Sequence, residues 1–530
     1  MTTAIFGLAL LFYVAVGVYV SRKVRGSDDF YVMSESASTL LIVGTLAATY
    51  LSAVTLLGVA GLAYSEGPLV LATTGSFGAW VGTLLAVVYV GRRMKALGCR
   101  TLPDFFKRRF ESPLVTVTAT IIMIVGLLGY GVIQLIGAGL VVGELTDIPF
   151  PVIIVLFVLS LLVFSALGGM YGVVVTDTLM FFSMLGVAVV VAPWIIGDVG
   201  FESIRNLAAS DPGYWTLAGT ADRPLSFTIS QFLVWVIFLS CTPALVSRVF
   251  PAKNDFVVLK SAAYGVFLAS FLQLPVFIAA SGMRVIEPGI EPADRVMVVA
   301  FLEHVPPAMG GIGLAALMAA IMSTASTLFV LAGFGLSRDL YENLRKTPIS
   351  ERHRMLASRI GQLTIGVIVT AVAIAQPAAI YWISIYAGAV FGVGWLPTVV
   401  AGLEWRRMNR HAAFASMVAG VVSFIVMSEL TRHGIVTLPG VMDPLMVALV
   451  AGIGSLVLVA RLTRPSPEEA AYFAYIEGTR PSQKTIAAAL ETPEPLATLR
   501  REYRRIVATV LGLLLLSFVV WSYFAVNLAF

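Results

Sequence analysis

Long apolar runs separated by short polar breaks fill this chain from end to end. Each run of about 18 to 28 residues is long enough to cross a hydrocarbon layer about 30 Å thick as a helix. The pattern predicts spans at 3–20, 38–65, 70–91, 114–141, 149–168, 172–196, 229–247, 261–282, 309–336, 360–377, 379–403, 412–429, 442–460 and 506–528. These fourteen crossings make an all-α polytopic membrane protein; the short alternating strands of a membrane barrel are not seen.

Composition agrees with the pattern: 58% of the 530 residues are hydrophobic and 12% are charged, which excludes a string of soluble domains. The net charge of +5 implies no nucleic-acid partner, because the basic residues sit in the loops between spans. With the N-terminus outside, thirty of the 35 Lys and Arg residues fall on the inner side, Arg248 among them. Arg205, Arg223, Arg284, Arg295 and Arg432 fall outside. This asymmetry predicts a plasma (inner) membrane protein with both termini outside. The first span is expected to be retained, since its basic cluster follows it and no small-residue cleavage site precedes that cluster. No GxxxxGK[ST] loop is present to drive ATP-powered pumping, and the four histidines lie in loops or at span ends, so an enzyme is not expected. No organic cofactor or obligate protein partner is implied; the bilayer is the expected surrounding.

Two spans break their own pattern. The second contains Thr49, Tyr50, Ser52 and Thr55 near its middle, and the seventh contains Ser240-Cys241-Thr242-Pro243, where proline removes a backbone donor. Such interruptions are tolerated at membrane depth only against protein or a water-filled site. The two segments lie five spans apart and so enter from opposite sides, as in two inverted five-helix repeats whose first helices are both broken.

The ninth span carries Ser323, Thr324, Ser326 and Thr327, and positions 320, 323, 324 and 327 share one helical face. Hydroxyls of this kind also bond back to their own helix and allow close packing. As a site, a Ser-Thr pair facing unwound carbonyls suits Na⁺, a hard cation that takes oxygen ligands and must also leave. Apart from residues at the span ends, Asp177 is the carboxylate inside a predicted span, within about two turns of the inner end of the sixth, and a charge there is costly unless it snorkels or caps a neighbour. With Ser326 and Thr327 it would form a second cation site.

These features resemble the sodium:solute symporter family. The resemblance rests on Gly26-Ser27-Asp28-Asp29-Phe30-Tyr31, Gly168-Gly169-Met170 followed by Thr176-Asp177, Arg248-Val249-Phe250, Met322-Ser323-Thr324 and Glu404-Trp405-Arg406-Arg407-Met408-Asn409. It implies a LeuT-type 5+5 inverted repeat with one leading and about three trailing helices. The corresponding divisions are a leading helix and loop at 1–37, repeats at 38–196 and 229–403 joined by an outer loop at 197–228, and trailing helices at 404–530 with an inner loop at 461–505. It further implies that a principal sodium is held by carbonyls of Ala48, Leu51 and Ala320 with the hydroxyls of Ser323 and Thr324, and a second by Asp177, Ser326 and Thr327.

Within the family, Tyr50-Leu51-Ser52-Ala53, Leu57-Gly58-Val59-Ala60-Gly61, Thr101-Leu102-Pro103-Asp104-Phe105 and Tyr130 with Gln134 look most like the acetate and pyruvate permease branch. Val54-Thr55-Leu56 and Ala244 depart from that branch beside the solute. The expected activity is Na⁺-coupled import of a short monocarboxylate by alternating access. Without Lys or Arg predicted at the midplane, its carboxylate would meet helix N-termini and Ser52, Thr55, Thr242 and Gln134, with Tyr130 and Trp235 as lining or gate residues. Proline or pantothenate transport on the same fold, and a transporter-like sensor, are the alternatives.

Overall fold

The computed structural model describes residues 1–71, 76–345, 350–375, 380–439, 442–480 and 496–529. Among these residues there is no strand, only an isolated bridge between Ala37 and Ala252. Backbone polar groups have no water to turn to in hydrocarbon, so each apolar run closes its hydrogen bonds as a helix.

In chain order the spans are α1 (Thr2–Ser21), α2 (Thr39–Tyr50), α3 (Val54–Glu66), α4 (Phe77–Leu84, continued by Leu85–Gly91 and Arg92–Ala96) and α5 (Pro113–Gly143). Then come α6 (Phe150–Val163), α7 (Ser165–Val199), α8 (Leu225–Ser240), α9 (Pro243–Val249) and α10 (Asp255–Ile286). The series ends with α11 (Pro307–Tyr341), α12 (Glu351–Ile374), α13 (Ile380–Glu404), α14 (Arg410–Arg432), α15 (Pro444–Leu462) and α16 (Leu496–Ala529). Ten helices are long and apolar enough to cross a membrane, and two bent pairs, α2 with α3 and α8 with α9, bring the number to twelve. The third and fifth expected runs form α4, which is built of three consecutive helical pieces, and the shorter α6. The protein is a multi-pass integral membrane protein.

Several helices outrun the apolar pattern because their end turns are polar. Helix α12 starts at Glu351, where the Ser350 side chain caps the His353 N–H, well before the expected position 360. Helix α16 begins at Leu496 with an Arg-rich stretch. The expected inner loop at 461–505 contains a further helix, Pro467–Gly478, opened by a reciprocal capping box between Ser466 and Glu469; its residues 481–495 lie outside the described ones.

Burial separates a core from a periphery. The apolar window of α11 is wholly buried, whereas those of α1, α14, α15 and α16 are 22%, 28%, 28% and 17% buried. The leading and trailing helices therefore flank the bundle, and α11 runs through its centre. Two glycines set distances that matter at the site. A Cβ on Gly44 would lie 2.7 Å from the Thr178 side chain, so α2 and α7 approach at backbone distance. Gly169 (φ 53°, ψ −145°) turns the chain near the start of α7, and a Cβ there would meet the Phe30 carbonyl at 2.5 Å.

Candidate functional site

Both expected breaks are present, and each has a different local cause. Helix α2 ends at Tyr50; Leu51 leaves helical geometry (φ −80°, ψ 88°) and the chain bends by 51° into α3. The Ala47 carbonyl still accepts from the Leu51 N–H at 2.9 Å, but the carbonyl of Ala48 accepts instead from the Ser323 hydroxyl of α11 at 3.0 Å. Ser52 caps the new helix by accepting from the Val54 N–H at 3.2 Å, and Gln134 of α5 accepts from the Ala53 N–H at 3.3 Å. The second break falls between α8 and α9 with a bend of 48°. Cys241 is non-helical, Thr242 bonds back to the Phe238 carbonyl at 2.8 Å, and Pro243 opens α9, where a missing N–H costs nothing.

Four of the five expected principal cation ligands, Ala48, Ala320, Ser323 and Thr324, converge. Ser323 Oγ lies 3.0 Å from both the Ala48 and Ala320 carbonyl oxygens, and Thr324 Oγ1 lies 3.1 Å from the latter. All of these residues, with Leu51, are buried. The hydroxyl protons now bridge the oxygens. A cation can take their place if the two hydroxyls rotate, since the oxygens of a hard-cation site are already gathered from two helices. Neutral hydroxyls and carbonyls with no carboxylate fit a singly charged ion that must be released.

A cavity lies between the two breaks, lined by Thr49, Tyr50, Thr55, Ser76, Tyr130, Trp235, Thr242, Gln273, Thr324 and Tyr381 together with apolar residues. None of the lining residues carries a formal charge. At one end Trp80 donates to Gln273 at 3.1 Å, and the buried Tyr50 hydroxyl makes no hydrogen bond within the protein. At another, Tyr381 donates to Gln231 at 3.1 Å and receives the Trp235 N–H at 3.4 Å, with Trp235 and Tyr130 packed against Phe238.

Of the expected solute contacts, Thr55, Tyr130, Trp235 and Thr242 line this cavity. Ser52 and Gln134 do not: both are fully buried and brace the first break, because unpaired N–H groups there outcompete a cavity for their oxygens. Tyr50, Ser76, Gln273 and Tyr381 were not expected in this role. Gln273 had a signal, an amide two residues before Pro275 in the middle of an apolar run.

The expected second site contains a surprise. Asp177, Ser326 and Thr327 are fully buried, but so is Arg248, which the charge count had placed in an inner loop. Arg248 sits on the turn that continues α9 and pairs with Asp177 at 2.8 Å. Its guanidinium also donates to Thr327 and to Thr49, the latter at 2.9 Å. Ser326 bonds back to the Ser323 carbonyl.

Comparison with known proteins agrees with this architecture. The profile of the sodium:solute symporter family matches residues 30–420, which is most of the chain. The sodium/pantothenate symporter of Escherichia coli (strain K12) is 26% identical over 428 residues, covering 78% of this chain and 88% of that protein. The sodium/proline symporter of Staphylococcus aureus (strain JH9) is 24% identical over 443 residues, covering 80% and 85%. Among solved structures, a Na⁺-coupled sialic acid symporter in a substrate-bound outward-open state superposes with a TM-score of 0.71 at 19% identity, covering 88% of this chain and 99% of that one. That likeness shows the LeuT-type fold. With two broken helices, a buried hydroxyl stripe between them and a family profile that spans the whole core, this transporter belongs to the sodium:solute symporter family.

Proposed function

We propose that this protein imports a small carboxylate-bearing solute with further neutral hydrogen-bonding groups, driven by one Na⁺ at the Ala48, Leu51, Ala320, Ser323 and Thr324 cluster. The observation that carries the reading is the double position of Thr324. Its hydroxyl belongs to the oxygen cluster and its side chain lines the cavity, so ion and solute share a wall. An ion at that wall places positive charge beside a cavity with no cationic side chain of its own. A solute carboxylate then gains from the ion and from the start of α9, and each ligand raises the affinity for the other. Alternating access follows when both together favour a different packing of the broken helices than neither does.

The solute favoured is of the pantothenate kind, with proline second, in place of the acetate or pyruvate expected from sequence. The relatives named above are pantothenate and proline symporters. The cavity lining is in keeping with that choice: besides the groups beside the oxygen cluster it presents the Tyr50 hydroxyl and the Gln273 amide, which a solute bearing an amide and hydroxyls as well as a carboxylate can use.

Uptake of radiolabelled pantothenate, proline, acetate and pyruvate into proteoliposomes, with and without an inward Na⁺ gradient, tests the reading. Pantothenate accumulation that requires Na⁺ is expected. Accumulation of acetate or pyruvate alone would restore the short-acid specificity, and uptake driven only by a proton gradient would overturn the coupling ion.

A further inference from the structure

Arg248 and Asp177 form a charged pair at the meeting point of both broken helices and two core helices. Both side chains are fully buried. Arg248 Nη2 lies 2.8 Å from Asp177 Oδ2, and the same carboxylate oxygen accepts from the Thr45 hydroxyl of α2 at 2.8 Å. The guanidinium reaches Thr49 of α2 through Nε at 2.9 Å, the Thr327 hydroxyl of α11, and the Met170 sulfur of α7 at 3.6 Å. Residues of α2, α7, α9 and α11 thus surround one cation, and that cation is part of the chain.

We infer that the Arg248 guanidinium fills the position that a second sodium would take, so this symporter binds one sodium per chain. The inference rests on the sodium reading above. Asp177 and Thr327, two of the three groups that a second sodium would need, are already bonded to Arg248. Charge leads to the same conclusion. The pair is neutral as it stands, so the carboxylate that would have balanced a second sodium already balances Arg248. Asp177 Oδ1 has no hydrogen-bond partner within the protein, yet an ion drawn to it would lie within a few ångströms of the guanidinium and be repelled by it. A tethered cation cannot be released, so this position contributes charge to the structure and none to the transported current. It also holds α2 and α9, the two half-helices that meet here, against α7 and α11.

Equilibrium binding of radioactive sodium to the purified full-length protein tests this without knowledge of the solute. The unaltered chain is expected to bind one ion, with a Hill coefficient of about 1. Arg248→Gln opens the position and is expected to bind two, with a coefficient rising towards about 2. Asp177→Asn, with the arginine still in place, is expected to keep one. Two ions on the unaltered chain, falling to one in Asp177→Asn, would overturn the inference even if Arg248→Gln did not fold. One ion on a folded Arg248→Gln chain would overturn it as well. Complete absence of sodium binding to the unaltered chain would instead overturn the sodium reading, and is distinguishable from a count of two.

Discussion

Two oxygen-rich positions lie about one turn apart on α11, and their surroundings are opposite in character. Ser323 reaches the carbonyl of Ala48 and Thr324 that of Ala320, with no charged side chain among the cluster's members. Ser326 and Thr327 lie one turn further on, where Asp177 and Arg248 supply both signs of charge. The same residue types repeat, so local helix chemistry does not distinguish the positions. What differs is the neighbour: an unwound carbonyl at one and a guanidinium at the other. A position built from neutral dipoles can gain and lose an ion, because losing it leaves no bare charge behind. One built on a carboxylate must keep its counter-charge at all times.

Breaking the charged position is expected to have the largest effect. Arg248→Ala leaves Asp177 buried and unpaired, which destabilises by about 3–5 kcal/mol. In thermal unfolding of the detergent-solubilised protein the double variant Arg248→Ala/Asp177→Ala should be more stable than Arg248→Ala alone. If the two single losses simply added, the pair would not be acting as a unit. The neutral position answers differently. Ser323→Ala with Thr324→Ala removes two ligands without exposing a charge, so the fold should survive. The sodium concentration for half-maximal uptake should rise by about 10- to 100-fold, the range that lost support of a metal ligand produces. Uptake measured across a sodium titration checks this, and an unchanged requirement would return the hydroxyls to packing.

The contrast also shows where sequence suffices. Spans, breaks and the hydroxyl stripe were legible because each is a local departure from a simple rule: an apolar run of set length, a proline or hydroxyl cluster inside it, an i, i+3, i+4 repeat. The pairing of Ser323 with Ala48 was implied by the family resemblance, and the packed bundle brings the two together. Arg248 escaped because hydropathy places a charge by its sequence neighbours, and Arg248 follows a proline-opened turn that reads as the edge of a loop. Its partners, at 177, 49 and 327, are far off in sequence and close only once the bundle packs. Ser52 and Gln134 illustrate the converse. Their chemistry suits a solute, but the backbone donors freed by the break were nearer. Thr101-Leu102-Pro103-Asp104 behaves likewise, since Thr101 caps a short helix at the Asp104 N–H and Asp104 accepts from Arg338.

The cavity wall offers finer tests of which neutral groups read the solute. Gln273→Leu and Tyr50→Phe each remove one hydrogen-bonding group, worth about 0.5–1.5 kcal/mol or roughly 2- to 10-fold in affinity. A pantothenate-like solute that spans the cavity should show this as a higher KM, measured by uptake at saturating sodium. Acetate or proline, with fewer hydrogen-bonding groups beyond the carboxylate, should show less, and an equal loss for all solutes would mean that these residues shape the cavity without reading its contents.

Trp235 should give the smallest effect. Its ring packs on Phe238 and Tyr381 at centroid distances of 5.3 and 6.1 Å, while its N–H meets the Tyr381 hydroxyl at a long 3.4 Å. Trp235→Phe keeps an aromatic ring against both neighbours and forfeits only that weak bond, so solute KM should change by no more than about 2- to 3-fold. Tyr381→Phe should cost more, because the same hydroxyl also donates to Gln231 at 3.1 Å, and both Gln231 and the Trp235 N–H lose their partner together. If the order were reversed, with the tryptophan substitution the worse of the two, the indole N–H would be meeting the solute itself, and Trp235 would count as a recognition group in addition to a packed wall.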